Sequence, residues 1–80
     1  MYIHIGENKI IQTEELIGIF NLSSIQNTKE YEKIEERLKK EKTFLEKRKQ
    51  DKSFLFFEKE GREQGVFSKI SSTTLAKREQ

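Results

Sequence analysis

Cysteine, proline and tryptophan are absent from this sequence of 80 residues. Without cysteine the chain can form neither a disulfide nor a thiolate zinc site, and without proline it has no rigid linker. No apolar run approaches the roughly 18 residues that a membrane-spanning helix needs. The first residues follow a strand pattern and lack a basic leader with an apolar run, so we expect a cytoplasmic protein without a membrane partner.

The apolar core is small even for a chain of this length. Apolar residues make up 32% of the sequence and charged residues 38%. A domain of this size buries only roughly 60% of the surface that its unfolded chain exposes, and self-association is one way to add stability. We therefore expect a single domain over residues 1–80 that forms a homo-oligomer.

Few residues could carry out catalysis or hold a cofactor. His4 is the only histidine, and the acidic residues near it are single, so a strand histidine is a better interpretation than a metal ligand or general base. No Ser/His/Asp arrangement, glycine-rich phosphate loop or paired-carboxylate motif occurs. We predict that the protein is not an enzyme and binds neither a metal nor a cofactor.

The first twenty residues carry the clearest strand pattern. Apolar positions precede a turn at residues 6–8 and resume at 9–11, which predicts a tight hairpin. Residues 13–16 could begin a helical turn. Residues 16–20, however, are β-branched and aromatic with one internal glycine, which favours a third strand.

A helical pattern occupies the middle of the chain, after a polar connection at residues 21–26. Asn27 and Glu30 match the two ends of a capping box. Apolar residues then recur on one helical face, at Tyr31, Ile34, Leu38 and Leu45. Most other positions are charged, which predicts a solvated helix that contacts the core along a narrow face and extends past residue 40.

An uninterrupted apolar run follows at residues 53–58, and a turn at 59–62 leads to a returning strand at 64–68. Continuous apolarity is typical of a strand that is covered on both faces. Because one helix covers one face only, the other face is a candidate subunit interface, formed by Phe54, Leu55, Phe56 and Phe57. With a short helix at 71–78, these patterns predict an α+β fold, a small antiparallel sheet of about five strands with one main helix and a short C-terminal helix.

Positive charge is concentrated in residues 27–52, which carry ten basic and seven acidic residues. Acidic residues interleave throughout 29–42, which is typical of a solvated helix face. The basic residues cluster just before the apolar run, and these are the candidate DNA contacts: Lys47, Arg48, Lys49 and Lys52. Such a cluster can contact phosphates, and a symmetric oligomer would repeat it and raise its affinity.

Three stretches are similar to the RemA/RemB family of bacterial extracellular-matrix (biofilm) regulators: MYIHIG at 1–6, LIGIF at 16–20 and SSTTLAKR at 71–78. They cover both ends of the chain in register, around a variable, charged middle at about 27–52. The resemblance implies a LytTR-like fold, assembly into a homo-oligomer such as a ring, and binding to duplex DNA that regulates matrix genes.

Two departures from the family pattern affect the DNA contacts that the resemblance implies. The RemA branch has an arginine just before its third strand, where this sequence has Glu15 beside Glu14. It also has adjacent arginines before the strand that matches 53–58, where residues 49–51 here are Lys-Gln-Asp. We predict a DNA-binding transcriptional regulator. The alternative is a non-catalytic interaction module, a partner of a RemA-type regulator, that does not bind DNA directly.

Overall fold

The strands of the computed structural model, which describes residues 1–42 and 47–78, form two antiparallel sheets with helices beside them. The strands are β1 (Tyr2–Gly6), β2 (Lys9–Gln12), β3 (Leu16–Asn21), β4 (Ser53–Lys59) and β5 (Arg62–Ser68). The helices are α1 (Leu22–Ile25), α2 (Lys29–Lys40) and α3 (Ser72–Arg78). The predicted α+β class is confirmed, and α1 falls where the sequence indicated only a polar connection.

The strands divide between two sheets, whereas the sequence predicted one sheet of about five strands. β1 and β2 pair as a hairpin, and the second sheet has the order β3-β4-β5. A 3-10 turn at Thr13–Glu15 separates β2 from β3, which agrees with the helical turn that the sequence left open there. Because the chain turns at this point, the hairpin packs against a face of the second sheet instead of extending it.

The hairpin presents one apolar face to the three-stranded sheet. Its turn residues Glu7 and Asn8 have φ of 53° and 62°, the left-handed conformation of the two-residue turns that suit a twisted hairpin. Alternation along both strands then directs one set of isoleucines inward. They form one core cluster with a leucine and a valine of the sheet and a leucine of α3: Ile3, Ile5, Ile11, Leu55, Val66 and Leu75.

Helix α2 covers the opposite face of the same sheet. Thr28 caps it, since the Tyr31 backbone N–H donates to the Thr28 Oγ1 at 3.2 Å, so the prediction that Asn27 is the cap is wrong by one residue. Tyr31 and Leu38 are buried against the phenylalanines of β4 and β5, as the periodicity predicts. The helical stripe that the sequence indicated ends in Leu45, which lies outside the described residues.

The helix ends at Lys40, whereas the sequence predicted that it extends further. The Lys42 backbone N–H donates to the Lys39 carbonyl at 3.2 Å, and Lys42 itself has a φ of 60°. A residue in the left-handed region after the last turn terminates a helix. No residue pattern signals this stop, since lysine carries no preference for that conformation.

Strand β4 is covered on both faces, as its continuous apolarity predicts, but both covers come from the chain itself. Phe54 and Phe56 face α2, whereas Leu55 faces the hairpin and α3. Phe54 and Leu55 are 0% exposed and Phe56 is 6% exposed, and Phe57 is partly buried beside the hairpin cluster. The premise that one helix leaves the other face of β4 uncovered is therefore corrected, and in this candidate interface Phe54, Leu55 and Phe56 offer little or no surface to a partner.

Candidate nucleic-acid interface

The basic segment 47–52 is a short loop that leads from the region after α2 into β4. The Arg48 backbone N–H donates to the Asp51 Oδ2 at 2.7 Å, and the Asp51 N–H donates back to the Arg48 carbonyl at 3.1 Å. Asp51 is only 8% exposed. In the sequence Asp51 only diluted the basic cluster, but in the structure its carboxylate fixes the shape of the loop that carries the cluster.

The end of the loop is fixed by backbone hydrogen bonds to two other elements. The Lys52 N–H donates to the Ser68 carbonyl at 2.8 Å, and the Lys52 carbonyl accepts from the Leu22 N–H at 3.0 Å. The adjacent Ser53 side chain is buried, and its Oγ donates to the Ile70 carbonyl at 2.8 Å. The Lys52 side chain is exposed, so the ammonium group projects from a backbone that is held on both sides.

A polar cleft with a volume of about 350 Å³ opens beside this loop. Lys47 and Lys52 bring two positive charges to its wall, and Asp51 brings one negative charge. The remaining lining residues come from the end of β3, from α1 and the residue after it, and from the start of α3 and the residue before it. Most carry hydroxyl or amide groups: Asn21, Leu22, Ser23, Gln26, Ser71, Ser72 and Thr73. Lysines beside hydroxyl and amide groups are the side chains that contact nucleic-acid phosphates in proteins.

Arg48 does not line the cleft that its neighbours form. Its Nη2 lies 2.5 and 2.6 Å from the two carboxylate oxygens of Glu7, in the turn of the β1–β2 hairpin. The hydrogen bond from Arg48 lowers the pKa of Glu7, and the same bond raises the pKa of Arg48. The structure therefore divides the predicted cluster, with Lys47 and Lys52 at the cleft, Lys49 exposed, and Arg48 turned to the hairpin.

The exposed apolar surface lies elsewhere than the sequence predicted. Met1, Tyr2, Ile10 and Ile17 are each more than half exposed. The register pairs Tyr2 with Gln12 and His4 with Ile10, so Tyr2 and Ile10 share the outer face of the hairpin. Strand alternation could have identified this face, since Ile3, Ile5 and Ile11 fill the inner one.

The two acidic residues before β3 differ in their surroundings. Glu14 is exposed, and its Oε1 accepts a hydrogen bond from the amino group of Met1 at 3.1 Å. Glu15 is partly buried at the end of the 3-10 turn. Glu14 is therefore the exposed acidic group of this edge, and it forms one exposed ion pair.

The only histidine of the sequence lies in the β1–β2 hairpin and not in the basic loop 47–52. His4 is exposed on β1, and its backbone carbonyl accepts a hydrogen bond from the Arg78 guanidinium at 2.9 Å. Within residues 1–42 and 47–78 no three His, Cys, Asp or Glu side chains lie together in a way that could hold a metal ion, and no helix is long and apolar enough to span a membrane. Comparison with known proteins finds no matching protein family and no matching curated protein.

Proposed function

We propose that this protein is a DNA-binding transcriptional regulator of bacterial extracellular-matrix genes, with a LytTR-like domain related to the RemA/RemB family and with a homo-oligomeric active form. The observation that carries the proposal is the anchored loop 47–52, which presents Lys47, Lys49 and Lys52 to solvent beside a polar cleft. The similarity of residues 1–6, 16–20 and 71–78 to that family supports the regulatory role. We assign the protein to the cytoplasm, where its DNA target is found.

The anchored loop suits phosphate binding because its backbone is already ordered before DNA arrives. A flexible basic segment loses conformational entropy when it binds, and that loss weakens the complex. Here Asp51 and the backbone of Lys52 fix the loop through bonds to Arg48, Ser68 and Leu22. Only the lysine side chains still have to be ordered on binding, and each then acts as a point charge on a phosphate.

Lysine contacts of this kind position the protein on the duplex without reading its sequence. Three or four phosphates per protomer give a modest affinity, since non-specific binding grows with the number of phosphates that are neutralised. An oligomer repeats the loop. Once one copy of the loop is bound, the other copies meet the same DNA at a raised effective concentration, which increases the total affinity. We therefore expect the protein to bind DNA as an oligomer.

Binding of the purified protein to a duplex promoter fragment, measured across a salt series, tests the proposal. For three or four phosphate contacts we expect the affinity of each bound loop to fall roughly 40- to 150-fold between 50 and 200 mM salt. Binding that hardly changes with salt, or no binding at 50 mM salt, would contradict direct contact with phosphates.

The oligomer is proposed to form through the outer face of the hairpin, where Tyr2 and Ile10 are exposed. We expect Ile10→Lys to lower the mass in light scattering to that of the 9.6 kDa chain, since an interface that buries an unpaired ammonium is strongly disfavoured. Glu60→Lys, in the exposed turn between β4 and β5, adds a lysine elsewhere and should leave the mass unchanged. A wild-type protein that is already a monomer would remove the oligomer from the proposal.

A second candidate function is that of a partner for a RemA-type regulator, without direct DNA contact. The exposed carboxylate of Glu14 favours it, because an acidic edge can pair with a basic one on another protein. Co-elution with a RemA-type protein, together with indifference to DNA at low salt, would support this function over the first.

A further inference from the structure

The turn of the β1–β2 hairpin contains a residue that its backbone conformation does not favour. Glu7 has a φ of 53°, in the left-handed region where asparagine, aspartate and glycine are the usual residues. Its neighbour Asn8 fits that preference, but Glu7 does not. Glu60 has the same conformation in the other hairpin turn, with a φ of 54°, so the conformation alone assigns no role. What distinguishes Glu7 is the contact that its carboxylate makes with Arg48.

Three basic side chains from separate parts of the chain act on this one carboxylate. Arg48, from the loop before β4, holds both carboxylate oxygens. Lys9, at the start of β2, and Lys69, after β5, also attract the carboxylate and favour its charged form. A carboxylate that pairs with an arginine, in the electrostatic field of two further lysines, occupies the kind of environment that also binds a phosphate group.

We propose that Glu7 is an internal competitor for phosphate, which holds Arg48 in the free protein and is displaced from it by a phosphate of bound DNA. This inference rests on the proposed DNA-binding function and adds a second contact point to it. Arg48 belongs to the same loop as Lys47 and Lys49, so a duplex that lies along the loop can reach both the cleft and the hairpin turn. Lys9 and Lys69 then attract the incoming phosphate in place of Glu7.

The exchange is energetically accessible because the Glu7–Arg48 pair is exposed. The Arg48 side chain is 52% exposed and that of Glu7 is 34% exposed. Exposed ion pairs contribute little to stability, since water and salt screen them. DNA carries about one charge per 1.7 Å of its axis, so phosphates reach a high local concentration at the loop. The guanidinium keeps two acceptor oxygens whether it binds Glu7 or phosphate.

The test measures duplex affinity for wild type and Glu7→Gln at about 0.1 M salt. The substitution keeps the size of the side chain but removes the competing charge, so we expect binding to become about two- to fivefold tighter, the range set by one exposed ion pair. Glu60→Gln is the matched control, because Glu60 occupies the other hairpin turn with a φ of 54° and is exposed. It removes the same charge without touching Arg48 and should change the affinity much less.

A double-substitution cycle with Arg48→Gln separates local competition from a change in net charge. If Glu7 acts through Arg48, Glu7→Gln should have little effect on affinity in the Arg48→Gln background. Thermal unfolding of each variant confirms that the fold is retained, which is expected for an exposed pair.

The outcomes distinguish this inference from the proposed function. Tighter binding by Glu7→Gln alone, lost in the Arg48→Gln background, supports the competitor. Equal gains for Glu7→Gln and Glu60→Gln, or no gain at all while wild type binds DNA, would overturn the competitor and leave the proposed function intact. If neither wild type nor Glu7→Gln binds the duplex, both fail.

Discussion

Replacing Phe54 by alanine is expected to lower the free energy of unfolding by about 3–5 kcal/mol, the range for a buried phenylalanine. Phe54 is 0% exposed and lies at the centre of the aromatic cluster under α2. Its ring centroid is 5.3 Å from that of Tyr31, edge to face, and 5.3 Å from that of Phe67. The side chain of Leu38 also packs in this cluster, so truncation leaves a cavity that several large side chains line.

This loss is large compared with the stability that a chain of this length has. At roughly 0.05–0.15 kcal/mol per residue, 80 residues give a total of roughly 4–12 kcal/mol. Urea unfolding followed by circular dichroism, at fixed protein concentration, measures the change. Phe57→Ala is the control on the same strand, and because Phe57 is only partly buried we expect a loss of about 1–2 kcal/mol. A loss at Phe54 below that at Phe57 would contradict the described packing of α2.

Reversing the charge of the basic loop is expected to remove DNA binding. With all four candidate residues changed to glutamate (Lys47, Arg48, Lys49 and Lys52), phosphate contacts are lost and four carboxylates repel the duplex. We expect affinity at about 0.1 M salt to fall at least roughly 1,000-fold. The side chains are exposed, and backbone bonds and Asp51 anchor the loop. Within the described residues the variant breaks only one side-chain ion pair of the loop, the exposed pair of Arg48 and Glu7, so the fold should survive. Gel retardation and fluorescence anisotropy measure the affinity.

The matched control makes the same change in net charge on a different surface. Four lysines of α2 are changed to glutamate (Lys29, Lys33, Lys39 and Lys40), where acidic residues already interleave with the basic ones. If the loop is the DNA surface, this variant should bind at least roughly tenfold more tightly than the loop variant. Equal affinities for both variants would mean that overall charge governs binding and that the loop has no special role. Unchanged retardation by the loop variant would refute the site.

The secondary structure could be predicted well from the sequence because its signals are local. The strands before and after the first turn follow from apolar residues on either side of Gly6–Asn8, and α2 follows from the spacing of Tyr31, Ile34 and Leu38. The end of α2 could not be predicted, because the residue in the left-handed conformation is a lysine and not the glycine that usually signals the end of a helix. The short helix α1 was missed for the opposite reason: four residues are too few to show a period.

The arrangement of the sheets depends on contacts between distant parts of the chain. The uninterrupted apolar residues of β4 indicate two covered faces, but not which part of the chain covers each face. The hairpin of β1 and β2 is free to extend the second sheet or to pack on it, and the sequence pattern is the same in both cases. The structure shows that the hairpin packs on the sheet. Its inward isoleucines lie in one core cluster with two residues of the sheet: Ile3, Ile5 and Ile11 with Leu55 and Val66.

The basic loop itself is visible in the sequence, and its four cationic residues are exposed in the structure. By itself, then, the sequence determined the class of fold, the strands and the position of positive charge, because these depend on neighbours a few residues apart. Only the tertiary structure decided that Arg48 meets Glu7, 41 residues away, and that Asp51 anchors the loop beside the cleft. The physical reason is that side-chain pairing across the fold depends on how the hairpin packs on the sheet. Such packing cannot be predicted from residues that are neighbours in the sequence.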